Sequence, residues 1–105
     1  MKSIMHSKND HTCYLCERLN YDNSTRTGLE EHHVFGRCNR GLSTKYGLMV
    51  YLCRQHHTDN SLGAAVHFNK DVAAELHRLG QRAFQEHYPE LDFQEIFGIN
   101  YLEEE

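Results

Sequence analysis

Two short pairs of metal-ligand residues, with 36 residues between them, constrain this chain more than any other feature. Cys13 and Cys16 form the first pair, and Cys53 and His56 form the second. Two residues between the members of a pair allow one tight turn to direct both side chains at a single ion. Three thiolates and one imidazole complete a tetrahedral zinc site. The spacing therefore predicts a structural zinc site, a zinc knuckle that joins two distant parts of the chain.

Two other interpretations of the cysteines stay open: buried thiols beside an unrelated Cys-x-x-Cys turn, or a disulfide. The first residues contain no apolar stretch typical of a secretion signal, so we expect a cytoplasmic location. Cysteines in that compartment bind metal or stay reduced more often than they form disulfides. Cys38, in a glycine-rich segment, is predicted to be a free thiol rather than a ligand.

The composition indicates a globular chain with an unusual number of metal-ligand side chains. Apolar residues make up 39% and charged residues 25% of the 105 residues, which disfavours a disordered or membrane-spanning chain. Nine histidines accompany the four cysteines, and a Cys₃His zinc site uses only one of them. The formal charge of −4 disfavours simple electrostatic binding of nucleic acid. Bound divalent cations would change that balance locally.

The order of apolar and turn-forming residues predicts an α+β fold in one domain. Residues 1–10 are predicted to be a flexible N-terminus. The domain is predicted to span 11–102, with its core in 11–70 and a C-terminal helical part in 71–102.

Two strands are predicted over 29–35 and 48–52, the second from five consecutive apolar residues. The glycine-bearing segment 36–47 between them predicts an antiparallel hairpin with a wide loop. The other predicted elements are a helical turn over 56–61, an amphipathic helix from Asn69 or Asp71 to about His87, and a short helix over 91–97 that ends at Gly98.

The remaining histidines predict a second metal site. His32 and His33 are adjacent in the first predicted strand, so their rings point to opposite faces unless a bend redirects them. One ring can therefore bind a metal ion while its neighbour faces a substrate. His57 follows the knuckle, and His67 could complete the site. The alternative for each of these histidines is a surface position with no role in metal binding or catalysis.

Four other histidines are predicted to lie outside both sites. His77 and His87 are expected on the solvated side of the long helix. His6 and His11 are expected to have no specific role, although His11 lies close enough in sequence to the knuckle to contact a ligand.

The order of these motifs resembles the HNH endonucleases of the ββα-metal (His-Me finger) class. Those motifs are CxxC, a strand with an acidic residue and two histidines, a loop, and LCxxHH. Small phage-encoded HNH nucleases, including the RecA-dependent recombination-enhancement type, are similar to the stretch HHVFGRCNRGLSTKYGLMVYLC. The resemblance covers about residues 11–70.

The resemblance implies a small ββα-metal fold with a zinc knuckle and C-terminal helices, and the hydrolysis of DNA phosphodiester bonds. His33 is then the general base that activates water. A catalytic ion, Mg²⁺ or Mn²⁺ in addition to the structural Zn²⁺, is then held by His32, His57 and His67. DNA is the implied partner, together with a candidate host or phage recombination protein, and no membrane is implied.

Several residues of the family pattern are replaced. The asparagine expected near the second strand is absent, and Asn39 in the loop is the candidate that takes its catalytic place. Ser61 stands where the last histidine is usual, so His67 is the candidate substitute. Glu31 is a candidate to orient one imidazole, and Tyr46 is either a base-stacking or a packing residue. The candidate phosphate contacts are Arg37, Arg40 and Lys45.

Two alternatives to a nuclease stay open on the sequence alone. A catalytically inactive, zinc-stabilised HNH-like binding or regulatory protein, such as an inhibitor, would retain the knuckle but hold one ion only. A redox or metal-storage protein is disfavoured because the cysteines are divided between the two halves of a knuckle.

Overall fold

The structure, a computed structural model, describes residues 3–59, 61 and 63–102 of this α+β chain. A two-stranded antiparallel sheet is surrounded by helices, as the sequence predicts. The elements in chain order are α1 (Tyr14–Asn20), β1 (Glu30–His33), α2 (Arg40–Tyr46), β2 (Met49–Leu52), α3 (Arg54–His57), α4 (Lys70–His87) and α5 (Phe93–Phe97).

The predicted hairpin is confirmed, with β1 and β2 paired in antiparallel register from Glu30 opposite Leu52 to His33 opposite Met49. Its connection is not an open loop, however. A 3₁₀ turn at Arg37–Asn39 leads directly into α2, which ends at Gly47 in the left-handed region (φ 73°).

The helix in this connection forms because one of its faces packs on the core. Leu42, Ser43 and Tyr46 have the three-to-four-residue spacing of one helix face, and all three are buried or half-buried. The Ser43 hydroxyl accepts from the Phe35 N–H at 3.0 Å and donates to the Phe35 carbonyl at 2.7 Å. This pair of bonds holds the chain immediately after β1, next to the histidine pair.

The long helix α4 is also confirmed, with the Asn69 side chain accepting from the N–H groups of Asp71 and Val72. Its buried face consists of Leu76, Gly80, Gln81 and Phe84. Position 77 lies at the edge of that face, one turn before the buried Gln81. The predicted helical turn over 56–61 is α3, which begins and ends earlier, and Asn60 lies outside the described residues.

His77 is therefore not a solvated residue, contrary to the prediction. Its ring stacks on Phe35 at 5.4 Å with an interplanar angle of 18°, and it lies 4.5 Å from the Tyr101 ring. Phe35 itself is buried and also contacts Phe93 and Phe97. The end of β1 is thus clamped between α4 and the C-terminal segment, while His87 is exposed as predicted.

Residues 3–6 of the N-terminal segment contact the hairpin and its connection, and the flexibility predicted for this terminus stays a prediction. The Ile4 N–H donates to the Gly47 carbonyl at 2.8 Å. His6 is 7% exposed, and its Nδ1 accepts from the Tyr51 N–H at 3.1 Å. Its Nε2 lies 3.1 Å from the Thr12 hydroxyl, so His6 has a structural role that the sequence did not predict. Met1 and Lys2 lie outside the described residues.

None of the helices within residues 3–59, 61 and 63–102 combines the length and the apolar character that crossing a membrane requires.

Candidate metal centres

The two Cys/His pairs meet in one buried cluster. Cys13 is the N-cap of α1, where its Sγ accepts from the Cys16 N–H, and Cys53 is the N-cap of α3. Nδ1 of His56 lies 3.6, 3.4 and 3.5 Å from Sγ of Cys13, Cys16 and Cys53. Sγ of Cys16 and Sγ of Cys53 are 3.8 Å apart, so these thiols form no disulfide.

These distances fit a tetrahedral zinc site. Zn–S bonds of about 2.3 Å and a Zn–N bond of about 2.0–2.1 Å place ligand atoms roughly 3.5–3.8 Å apart at the corners of a tetrahedron. The four ligand side chains are buried. The predicted Cys₃His clustering is confirmed, and the cluster could hold a metal ion such as zinc.

Without an ion, this environment favours the protonated thiols of Cys13 and Cys16. Burial raises the pKa of Cys13, and burial together with the neighbouring thiols raises the pKa of Cys16 to about 12. A metal ion supplies the positive charge that makes thiolates stable in such surroundings. The four ligand atoms and their burial therefore fit a site that could hold an ion.

A second cluster consists of three imidazoles. His32 comes from β1, His57 from α3, and His67 from the turn that follows; their ring centroids are 5.2, 5.1 and 4.8 Å apart. One ligand atom from each lies within 4.8 Å of the others. The His67 N–H donates to the His57 carbonyl at 3.4 Å, which holds the turn against α3.

The surroundings of His32 and His67 favour neutral imidazoles. Burial, and then the charges of His57 and His67, lower the pKa of His32 to about 3. Burial, followed by His57, also lowers the pKa of His67. A neutral imidazole has a free lone pair at one nitrogen, which is the form that binds a metal ion.

Glu30 is a component of this site that the sequence analysis missed. Its Oε1 lies 2.7 Å from Nδ1 of His57. Glu31, the predicted orienting carboxylate, is exposed and lies on the other face of β1. The alternation of side chains along a strand could have identified Glu30, because it shares a face with His32.

His33 lies beside the cluster but points away from it, as strand alternation predicts. Its Nε2 is 2.9 Å from the Thr44 hydroxyl in α2. That hydroxyl also lies 3.3 Å from the Arg40 carbonyl; when it donates there, it accepts from Nε2–H, and Nδ1 of His33 retains its lone pair. Burial, followed by the charge of Arg40, lowers the pKa of His33.

The histidine cluster and His33 line one cleft of about 670 Å³. Arg37 and Arg40 are exposed and line the same cleft. Lys45 is not among the residues that line it, and its Nζ lies 5.3 Å from the centroid of the Tyr46 ring. Tyr46 packs edge-to-face on Phe84 at 5.2 Å and is thus a packing residue.

Three other candidate positions have the following contacts. The Asn39 amide donates to the Phe97 carbonyl at 3.1 Å and so ties the 3₁₀ turn to α5. Cys38 is exposed and free, as predicted. Ser61 is exposed and its N–H donates to the Asp59 carboxylate, whereas His67 joins the histidine cluster.

The chain matches no family model, no curated protein and no solved structure. The two clusters and the cleft are therefore the features that bear on its function.

Proposed function

We propose that this protein is a metal-dependent endonuclease of the HNH (His-Me finger) type that hydrolyses DNA phosphodiester bonds. The observation that carries the proposal is one cleft in which three clustered imidazoles lie beside a separate, neutral imidazole. The pairing of β1 with β2, which α2 connects, and the position of α3 directly after β2 support a ββα-metal fold. The Cys₃His cluster would hold the structural zinc that fixes the start of α3 against α1.

The donor set at the second cluster favours a borderline transition-metal ion. Imidazoles suit Zn²⁺ and Ni²⁺, whereas Mg²⁺ prefers oxygen ligands. Within the described residues the cluster consists of His32, His57 and His67 alone. We therefore expect Zn²⁺ or Ni²⁺ to bind this cluster more tightly than Mg²⁺ or Mn²⁺. When bound, a divalent ion would neutralise phosphate charge and stabilise the leaving oxygen.

The role of His33 follows from its charge and orientation. Its lowered pKa keeps the ring neutral at neutral pH, and the hydrogen bond at Nε2 leaves the Nδ1 lone pair available to take a proton from water. Arg40 has two roles in the proposed reaction. Its charge favours the basic form of His33, and its guanidinium, with that of Arg37, would contact the phosphates next to the cleaved bond.

Local charge, rather than net charge, would attract the DNA. The chain carries a formal charge of −4, but two arginines line the cleft against one carboxylate, Glu31, and the histidine cluster is suited to a divalent cation. Both would present positive charge to a phosphodiester in the one place where chemistry is proposed.

The proposal is tested by nicking of supercoiled plasmid with the wild type, His33→Ala and His87→Ala. Each protein is assayed with Zn²⁺, Ni²⁺, Mn²⁺, Mg²⁺ or EDTA. We expect ion-dependent nicking by the wild type and by His87→Ala, whose altered residue is exposed on α4. His33→Ala should lose roughly 10²–10⁴-fold in rate, the usual contribution of a general base.

Two outcomes would contradict the proposal. Equal nicking by His33→Ala would remove His33 from the chemistry. Absence of nicking with every ion, in a folded protein that retains one zinc, would favour the non-catalytic binding or regulatory module.

A further inference from the structure

Arg26 is a cation beside the Cys₃His cluster, and the proposed nuclease function does not use it. Its Nη2 donates to the Asp22 carboxylate at 3.0 Å. Its Nε–H is fully buried and has no hydrogen-bond partner within the part of the chain that the structure describes. A buried N–H on a charged group is costly without an acceptor. This nitrogen therefore indicates that an acceptor forms nearby in the working state of the protein.

The backbone places Arg26 next to the first pair of ligands. Its N–H donates to the His11 carbonyl at 2.7 Å, and Thr25 forms an isolated antiparallel bridge with Thr12. Residues 25 and 26 thus lie beside the segment that leads into Cys13. The backbone of Arg26 therefore lies next to the first pair of ligands, while its side chain is 34% exposed.

The loop that carries Arg26 is also bonded to the second ligand of the cluster. The Asp22 N–H donates to the Cys16 carbonyl at 3.0 Å, and the Asp22 carboxylate binds the guanidinium. The raised pKa of Arg26, to which Cys16 contributes most, agrees with this placement. The cation thus lies beside the Cys13–Cys16 pair of ligands.

We propose that Arg26 is a hydrogen-bond donor of this metal centre, with Nε–H donating to a cluster thiolate when an ion is bound. Three thiolates, a neutral imidazole and a divalent ion carry one formal negative charge, and the guanidinium, which also pairs with Asp22, offsets part of it. Such a charge would otherwise be buried without compensation, which is unfavourable. The inference rests on the cluster holding a metal ion and is independent of the nuclease function.

The proposal has a direct consequence for retention of the ion. A thiolate that accepts an N–H bond is less basic, so protons and competing electrophiles remove it from the ion less readily. Loss of a group that contacts metal ligands typically reduces metal affinity roughly 10- to 100-fold. Arg26→Gln should weaken zinc binding and speed zinc transfer to a chromophoric chelator by a factor in that range.

Two further variants separate this role from simpler effects. Arg82→Gln removes the same charge at an exposed position of α4 and should transfer zinc at the wild-type rate. Asp22→Asn breaks the ion pair of Arg26 with the loop but leaves the cation in place. If Asp22→Asn loses zinc as fast as Arg26→Gln, Arg26 acts by ordering the loop and the proposal is wrong.

Cobalt substitution gives a readout that a purely structural role would not change. With Co²⁺ in the cluster, we expect the thiolate-to-metal charge-transfer bands of Arg26→Gln to shift to lower energy, because the thiolate becomes a stronger donor. The d–d bands, which report tetrahedral geometry, should stay in place. Identical charge-transfer bands and equal zinc transfer rates in Arg26→Gln and the wild type would overturn the proposal. So would a wild-type chain that binds neither Zn²⁺ nor Co²⁺.

Discussion

Glu30 and His57 are joined by a hydrogen bond between Oε1 and Nδ1 at 2.7 Å, although 27 positions separate them in the chain. A carboxylate accepts only, so Nδ1 of His57 carries a proton, and in the neutral ring the lone pair lies on Nε2. The bond also fixes the orientation of the ring between β1 and α3. Glu30 is thus placed to orient His57 for any ion that the histidine cluster could hold.

Glu30→Gln is expected to weaken ion binding at the histidine cluster roughly 10- to 100-fold, because the amide no longer holds the imidazole with a charged acceptor. The affinity is measured by calorimetric titration of Zn²⁺ or Ni²⁺ into protein whose Cys₃His cluster is already filled. Glu31→Gln is the matched control, since Glu31 lies on the other face of the same strand. If both variants bind the second ion as the wild type does, Glu30 has no part in the site.

Cys53→Ser is expected to abolish the fold. Structural zinc contributes on the order of 10 kcal/mol, which is comparable to the whole stability of a small domain. Circular dichroism and the zinc content of the purified protein measure the effect. Cys38→Ser removes an exposed thiol and should leave both unchanged. A folded, zinc-free Cys53→Ser protein would show that the cluster is not needed for folding.

Gly80→Ala is expected to destabilise the contact between α4 and β1. A Cβ at position 80 would lie 2.7 Å from Cγ1 of Val34 and 3.1 Å from the ring of Phe35. Overpacking of this kind costs about 1–3 kcal/mol. It also displaces the residue that follows His33, so any nuclease activity should fall with stability.

The matched control for Gly80 is Gly41→Ala. A Cβ at position 41, in α2, meets no atom within 4 Å. The substitution should raise the free energy of unfolding by up to about 1 kcal/mol, since alanine favours the helix. Urea denaturation of both variants measures the difference, and an equal effect at the two positions would contradict the packing argument.

The stability of the protein is expected to depend on pH through His6. Burial lowers its pKa in the folded state, so below the ordinary value of 6.5 the unfolded chain binds more protons than the folded one. The contribution to stability is complete above 6.5 and is lost as the pH falls towards the folded pKa. The physical cause is that a protonated His6 cannot accept from the Tyr51 N–H. The slope for one proton is at most about 1.4 kcal/mol per pH unit.

His6→Gln offers an amide in place of the imidazole and cannot titrate. Urea unfolding between about pH 7.5 and pH 6 should show a smaller fall in stability for this variant than for the wild type. His87→Gln, altered at an exposed site, should keep the wild-type slope. Equal slopes in all three proteins would exclude His6 as the titrating group.

The sequence by itself determined the features that depend on local spacing. Ligands two residues apart in each Cys/His pair predicted the buried Cys₃His cluster, and apolar runs predicted the hairpin. The periodicity after Asn69 predicted α4, and strand alternation predicted that His32 and His33 point to different faces. Each of these follows from chain geometry over a few residues, which is why no knowledge of distant contacts was needed.

Only the tertiary structure decided which side chains from different elements come into contact. The segment between the strands contains α2 because Ser43 and Tyr46 pack against the core. His77 is stacked rather than solvated because Phe35 and Tyr101 lie at the edge of α4. Arg26 lies beside the cluster because the segment that carries it pairs with residues far from it in sequence. Burial and charge at a side chain are set by all the elements packed around it, and those contacts exist only once the chain has folded.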